Sequence, residues 1–142
     1  GQQAYVFSEP FVARRSGSNP KVLMVSDLGY NPYTSLLITT QETVDSNKDL
    51  IDRMIRASKK GWIMYLEDST TTDEHIHALN EEMDLEILAF GANTLKELCL
   101  PDGMNTDALG DMTLERWRQL RDQLIELELI DQSVDANAAF LK

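Results

Sequence analysis

The apolar positions of the first forty residues fall in short, nearly unbroken runs. Ala4-Tyr-Val-Phe7 is β-branched and aromatic, and Pro10 behind it removes a ladder donor and is expected to end pairing. Lys21-Val-Leu-Met-Val-Ser26 and Ser35-Leu-Leu-Ile-Thr-Thr40 are near-continuously apolar, the pattern of strands buried on both faces of a helix-covered sheet. Between them Asp27-Leu-Gly-Tyr-Asn-Pro-Tyr33 gathers turn formers and two tyrosines. A loop at strand ends is where a ligand would be met.

Beyond residue 45 the spacing becomes helical. Ser46 or Asn47 is expected to cap a helix running to about Glu67, with Asp49 offsetting its dipole. Ile51, Ile55, Ser58, Trp62 and Leu66 form one stripe, and Gly61 within it predicts the close approach of a neighbour. A second helix is expected over 72–80, with Thr71 and Glu74 at capping-box spacing. Asp84 caps a third, carrying Leu88, Gly91, Leu95 and Leu98 on one face. Leu100-Pro-Asp-Gly103 breaks the chain, and Thr113 starts a last helix with the stripe Trp117, Leu120, Leu124 and Leu127. The predicted fold class is α/β, short strands in the first third followed by a helical carboxy-terminal region. Three short strands cannot bury both faces and shield their edges alone. The sheet is therefore expected to be incomplete, or completed by a homodimer through its unpaired strand edges.

At 142 residues the length suits one domain, and no apolar run approaches the roughly 20 residues of a spanning helix. The first residue is Gly and no signal-peptide pattern follows it, so a processed or excised piece of a longer polypeptide is expected. The net charge is −11, and it is uneven. Residues 1–60 hold eight basic and six acidic side chains, residues 61–142 five and 18. Nucleic acid and anionic membranes both need clustered cations, so neither is an expected partner. Arg53, Arg56, Lys59 and Lys60, spaced for one helix face, read as a solvated surface.

Catalytic chemistry is not written in the motifs. His75 and His77 diverge on a helix by about 200° and cannot share a metal there. Asn105, Asp107 and Asp111 miss the EF-hand spacing and read as capping residues, so no metal site is expected. Cys99 alone can form no intrachain disulfide and reads as a small buried thiol. Glu9, fixed by Pro10 just past a strand, can accept hydrogen bonds from a ligand, and Tyr30 and Tyr33 can stack on a planar ring. The alternative is that Glu9 caps the following turn and both tyrosines pack.

Ala4-Tyr-Val-Phe-Ser-Glu-Pro-Phe11, Gly29-Tyr-Asn-Pro-Tyr33 and Leu36-Leu-Ile-Thr-Thr40 occur in an order that resembles one family. The run from Asn47 through Arg56-Ala-Ser-Lys-Lys-Gly-Trp62 to Leu66, then Asn80-Glu-Glu-Met-Asp84 and Met112-Thr-Leu-Glu-Arg-Trp117, extends the likeness along the chain. It is similar to the carboxy-terminal part of periplasmic substrate-binding proteins for nitrate, sulfonate, taurine and thiamine-pyrimidine compounds. The thiamine-pyrimidine-synthase-like branch has the nearest pattern.

The resemblance implies a type II binding fold, two α/β lobes around a ligand cleft. Residues 1–33 would be the tail of the second lobe and a hinge, and 34–142 the carboxy-terminal part of the first. It implies Glu9 at the cleft floor and Tyr30, Asn31 and Tyr33 on the hinge side. It further implies a non-enzymatic, cofactor-free component of an ABC-type importer that binds a small molecule, docks on a permease and works in the periplasm or anchored outside the membrane. A synthase-like enzyme that uses iron and consumes a histidine, and a ligand-sensing regulatory domain, are the rival readings. Two positions depart from the family pattern: Lys48 replaces a Pro at the first helical position, and Glu128 replaces a Gly after the last helix. A left-handed terminator without Gly is strained by roughly 1 kcal/mol, so that helix is expected to run on.

Overall fold

Helices α1 (Glu9–Arg15), α2 (Gln41–Ser46), α3 (Lys48–Glu67), α4 (Thr70–Leu79), α5 (Leu85–Cys99) and α6 (Leu114–Glu126) make up the regular structure, together with short 3₁₀ turns. The structure is a computed structural model that describes residues 1–101 and 104–141. Asp102 and Gly103 of the expected chain break lie outside the described residues.

The expected α/β class is overturned: among the described residues there is no strand and no sheet. Residues 4–7 lead through a turn into α1, Val25–Leu28 is a 3₁₀ turn, and residues 36–40 have no regular structure. The physical reason is pairing. A strand is stable only when a neighbour takes its backbone groups, and none of the three runs is paired into a ladder among the described residues. Side chains patterned for a sheet interior therefore stand in solvent, Leu23 at 78% and Ile38 at 89% exposure.

The chain divides into two compact units. The first comprises Gly1–Val22 and Thr40–Leu109. In it α5 packs against α1, α3 and α4, and Pro10, Leu66, Leu88, Gly91 and Ala92 are buried. Phe11 stacks on Phe90 with centroids 5.0 Å apart. The α1–α5 approach depends on Gly91, where a Cβ would lie 3.1 Å from the Phe7 carbonyl oxygen. Gly61, where the close approach was expected, has open space around it. The α3 stripe correspondingly buries only its last member, Leu66, while Ile55 and Trp62 remain about half exposed.

Local signals set the ends of these helices. Asp84 caps α5 as expected, its carboxylate accepting from the Glu86 N–H and pairing with Arg15 at 2.9 Å. Asn47 occupies the capping position of α3, though its side chain makes no capping bond. The sequence pattern missed α2, which Thr40 caps by accepting from the Thr43 N–H. It also misplaced the start of α4, which begins at Thr70 rather than 72. There the Asp68 carboxylate accepts from the Thr70 N–H at 3.0 Å, and Asp73, 4% exposed, receives the Tyr65 and Ser69 hydroxyls at 3.1 and 2.6 Å. Met83 O lies 2.9 Å from His77 Nδ1, which gives that histidine a local structural contact.

The second unit comprises Leu23–Thr39 and Gly110–Lys142. Thr113 caps α6, its hydroxyl accepting from the Arg116 N–H, and the 3₁₀ turn Ala136–Ala138 packs on that helix with Ala136 buried. The helix does not run on past Glu126. Glu128 takes the left-handed conformation at φ 56, with the Glu128 N–H bonded to Ile125 O and the Leu129 N–H to Leu124 O, each at 2.9 Å. Those two bonds are a Schellman termination, and satisfying orphan carbonyls outweighs the strain at a non-glycine residue.

Candidate functional site

The loop from Gly29 to Tyr33 is built by its own sequence and then fastened to α6. Gly29 ends the 3₁₀ turn Val25–Leu28 at φ 85, a conformation that a side chain would strain. Pro32 biases Asn31 away from helix, and no helix forms directly after the turn. Gln119 and Gln123 Nε2 both donate to the Gly29 carbonyl, at 3.2 and 2.8 Å.

Arg116 is the principal fastener. Its Nε donates to Asn31 O at 2.6 Å, and its Nη2 to Asn31 Oδ1 at 2.8 Å and Pro32 O at 3.1 Å. The guanidinium carbon also lies 4.1 Å from the Tyr33 ring centroid. Solvent exposure discounts each of these bonds, yet three from one charged donor together outweigh a partly exposed cation–π contact of about 0.5–1 kcal/mol. The Thr113 N–H donates to the Tyr33 hydroxyl at 2.8 Å. Trp117 meets Tyr33 with centroids 5.6 Å apart and stacks on Phe140 at 6.0 Å.

The structure thus brings Asn31 and Tyr33 together on Arg116. Tyr33 has its hydroxyl and ring engaged, whereas Tyr30 is 40% exposed and makes no hydrogen bond or ring contact among the described residues. Glu9 belongs to the first unit. It is the first residue of α1, and its carboxylate accepts from the Tyr5 N–H at 3.0 Å and from the Ser8 hydroxyl. The Ser8 hydrogen bond, followed by the backbone N–H groups of Glu9 and Tyr5, holds that carboxyl below its ordinary range.

Arg116, Gln119 and Gln123 were not among the residues that sequence reasoning singled out. Their signal was a polar row at positions three and four apart beside the apolar stripe of the same helix. Asn105 caps the 3₁₀ turn Thr106–Ala108 by accepting from the Asp107 N–H, the capping use expected for it. Among the described residues no group of three or more His, Cys, Asp or Glu side chains could hold a metal ion. No helix among them is long and apolar enough to cross a membrane.

The family model described as NMT1/THI5 like matches residues 3–71. Over these residues the chain is similar to the NMT1/THI5-like family. The matched segment includes α1, α2, α3, Glu9 and the whole Gly29–Tyr33 loop, and it ends at the start of α4. The resemblance read from the residues therefore holds at the level of the family. No curated protein and no solved structure matches the chain.

Proposed function

We propose that this chain contributes to the substrate-binding component of an ABC-type importer, working outside the membrane beside its permease. Its ligand is a small polar or heteroaromatic nutrient of the thiamine-pyrimidine, sulfonate or nitrate kind. The observation that carries the reading is the family match over 3–71, which takes in the loop fastened to α6. Fixing a loop before the ligand arrives lowers the ordering cost of binding. What the loop offers is consistent with such a ligand: the Tyr30 ring is free for stacking, and the Asn31 amide NH₂ can donate to an anionic oxygen. Glu9 is the proposed acceptor for ligand amines or hydroxyls, in keeping with its depressed pKa.

Isothermal titration of the parent polypeptide with pyrimidines, sulfonates and nitrate tests the proposal. One class is expected to bind, and Tyr30→Ala to weaken a heteroaromatic ligand about tenfold, the equivalent of ~1.4 kcal/mol. Silence against all three classes overturns the importer reading. Iron-dependent formation of a pyrimidine product would replace it with the synthase-like one.

A further inference from the structure

The Gly29–Tyr33 loop spends its acceptors on α6 and keeps donors in reserve. The Gly29 carbonyl takes two N–H groups, one from Gln119 and one from Gln123. The carbonyls of Asn31 and Pro32 and the side-chain oxygen of Asn31 each take one from Arg116. A guanidinium has donors and no acceptor, so it fixes which end of the Asn31 amide faces it. The oxygen is that end, at 2.8 Å, and the NH₂ is left over on an exposed residue. Neither Asn31 Nδ2 nor Arg116 Nη1 makes a hydrogen bond among the described residues. All of these groups belong to the second unit.

Charge points the same way. Arg15, Arg53 and Arg121 each have a carboxylate oxygen within 3.0 Å. Arg116 holds three neutral oxygens and the face of the Tyr33 ring, and pairs with no carboxylate among the described residues. Its positive charge therefore stays uncancelled in a chain of 24 Asp and Glu residues, one hydrogen bond away from the Asn31 amide.

We propose that Asn31 and Arg116 form an oxyanion subsite, in which the Asn31 NH₂ donates to an oxygen of a nitrate or sulfonate group and the guanidinium balances its charge. The inference rests on the importer reading and narrows its ligand to the two classes that carry acceptor oxygens and negative charge. An aminopyrimidine brings N–H donors to a loop whose acceptors are engaged, and a donor that finds no partner on binding forfeits its bond to water. An oxyanion meets donors that are open, and charge-assisted bonds are roughly twice as strong as neutral ones. Asn31 lies within the matched segment and Arg116 beyond it, so the subsite needs α6 as well as residues 3–71.

Isothermal titration of the parent polypeptide with sodium nitrate, sodium ethanesulfonate and 4-aminopyrimidine tests this. One of the two anions is expected to bind about tenfold or more tightly than the aminopyrimidine. Asn31→Asp still offers Arg116 an oxygen, so the loop stays fastened, but it replaces the NH₂ with a negative acceptor. It is expected to keep the wild-type urea midpoint and to lose about tenfold or more in anion affinity. Arg116→Gln is expected to lose a similar amount and Arg116→Lys, which retains the charge, to recover part of it. Should Asn31→Asp fail to fold, the contrast between the Arg116 variants decides. A parent that binds the aminopyrimidine as tightly as either anion, an Asn31→Asp chain that binds anions like the wild type, or equal anion affinity in the two Arg116 variants, overturns the subsite and leaves the importer reading standing. Silence toward all three probes overturns both.

Discussion

Asp73 is a carboxylate taken almost wholly out of water and held by two hydroxyls, one from the end of α3 and one from the start of α4. The Tyr65 hydroxyl that supplies one of them is pushed up to about 12 from 10.0, first by burial and then by the Asp73 charge beside it. Linkage fixes the sign of the consequence. A raised folded-state pKa contributes stability that is intact below pH 10 and is lost as pH climbs through 12, because the unfolded tyrosine ionises first. Urea midpoints measured across that window are expected to fall for the wild-type chain and to fall less for Tyr65→Phe. At neutral pH the same variant is expected to cost about 1 kcal/mol, since Asp73 loses one of its donors. Nothing in the spacing marked Asp73 as buried. The visible signal was Thr71 with Glu74, and the hydrogen bonds of Asp68 and Asp73 outcompeted it. At Glu9 the sequence was more informative. Its two readings, ligand acceptor and cap, differ in which groups reach the carboxylate, and the local hydroxyl and N–H donors were one and four residues away in plain view.

Helix ends were readable where one short polar side chain decides them, as at Asp84 and Thr113, because the donor it satisfies is two or three residues along. The end of α6 is different, since it depends on a conformation rather than on a partner. Glu128 holds φ 56 because the two bonds of the Schellman turn close only there. Glycine takes that conformation without a Cβ penalty, so Glu128→Gly is expected to stabilise the second unit by about 0.5–1 kcal/mol. A rise in the urea midpoint at constant slope would show it, and an unchanged or lower midpoint would mean that the strain is already relieved locally. Strands were the least legible elements. A helix satisfies its own backbone, so its pattern suffices, whereas a strand needs a neighbour that a stretch such as Ser35–Thr40 cannot name.

At the scale of the molecule, each unit has its own interior and its own tryptophan, Trp62 in the first and Trp117 in the second. The first unit buries Leu66, Leu88 and Ala92 as well as Pro10, Gly91 and the hydrogen-bonded Asp73. The second buries Ala136 alone among the described residues and relies on the Arg116 bonds and the Tyr33–Trp117–Phe140 rings. Fully burying a leucine contributes about 1.5–3 kcal/mol, more than the burial of a single alanine can supply, and exposed hydrogen bonds to loop carbonyls open readily. The second unit is therefore expected to unfold at lower denaturant than the first. Trp62→Phe leaves Trp117 to report on the second unit, and Trp117→Leu leaves Trp62 to report on the first. The urea midpoint read from Trp117 fluorescence is expected to precede the one read from Trp62, with the helical circular-dichroism change spanning both. Because Trp117 is itself part of the second interior, the comparison rests on Trp117 in the Trp62→Phe chain against the circular-dichroism midpoint of that same chain. Coincidence of those two curves would show that one cooperative transition governs the whole chain, and that the interior of the second unit does not set its own stability.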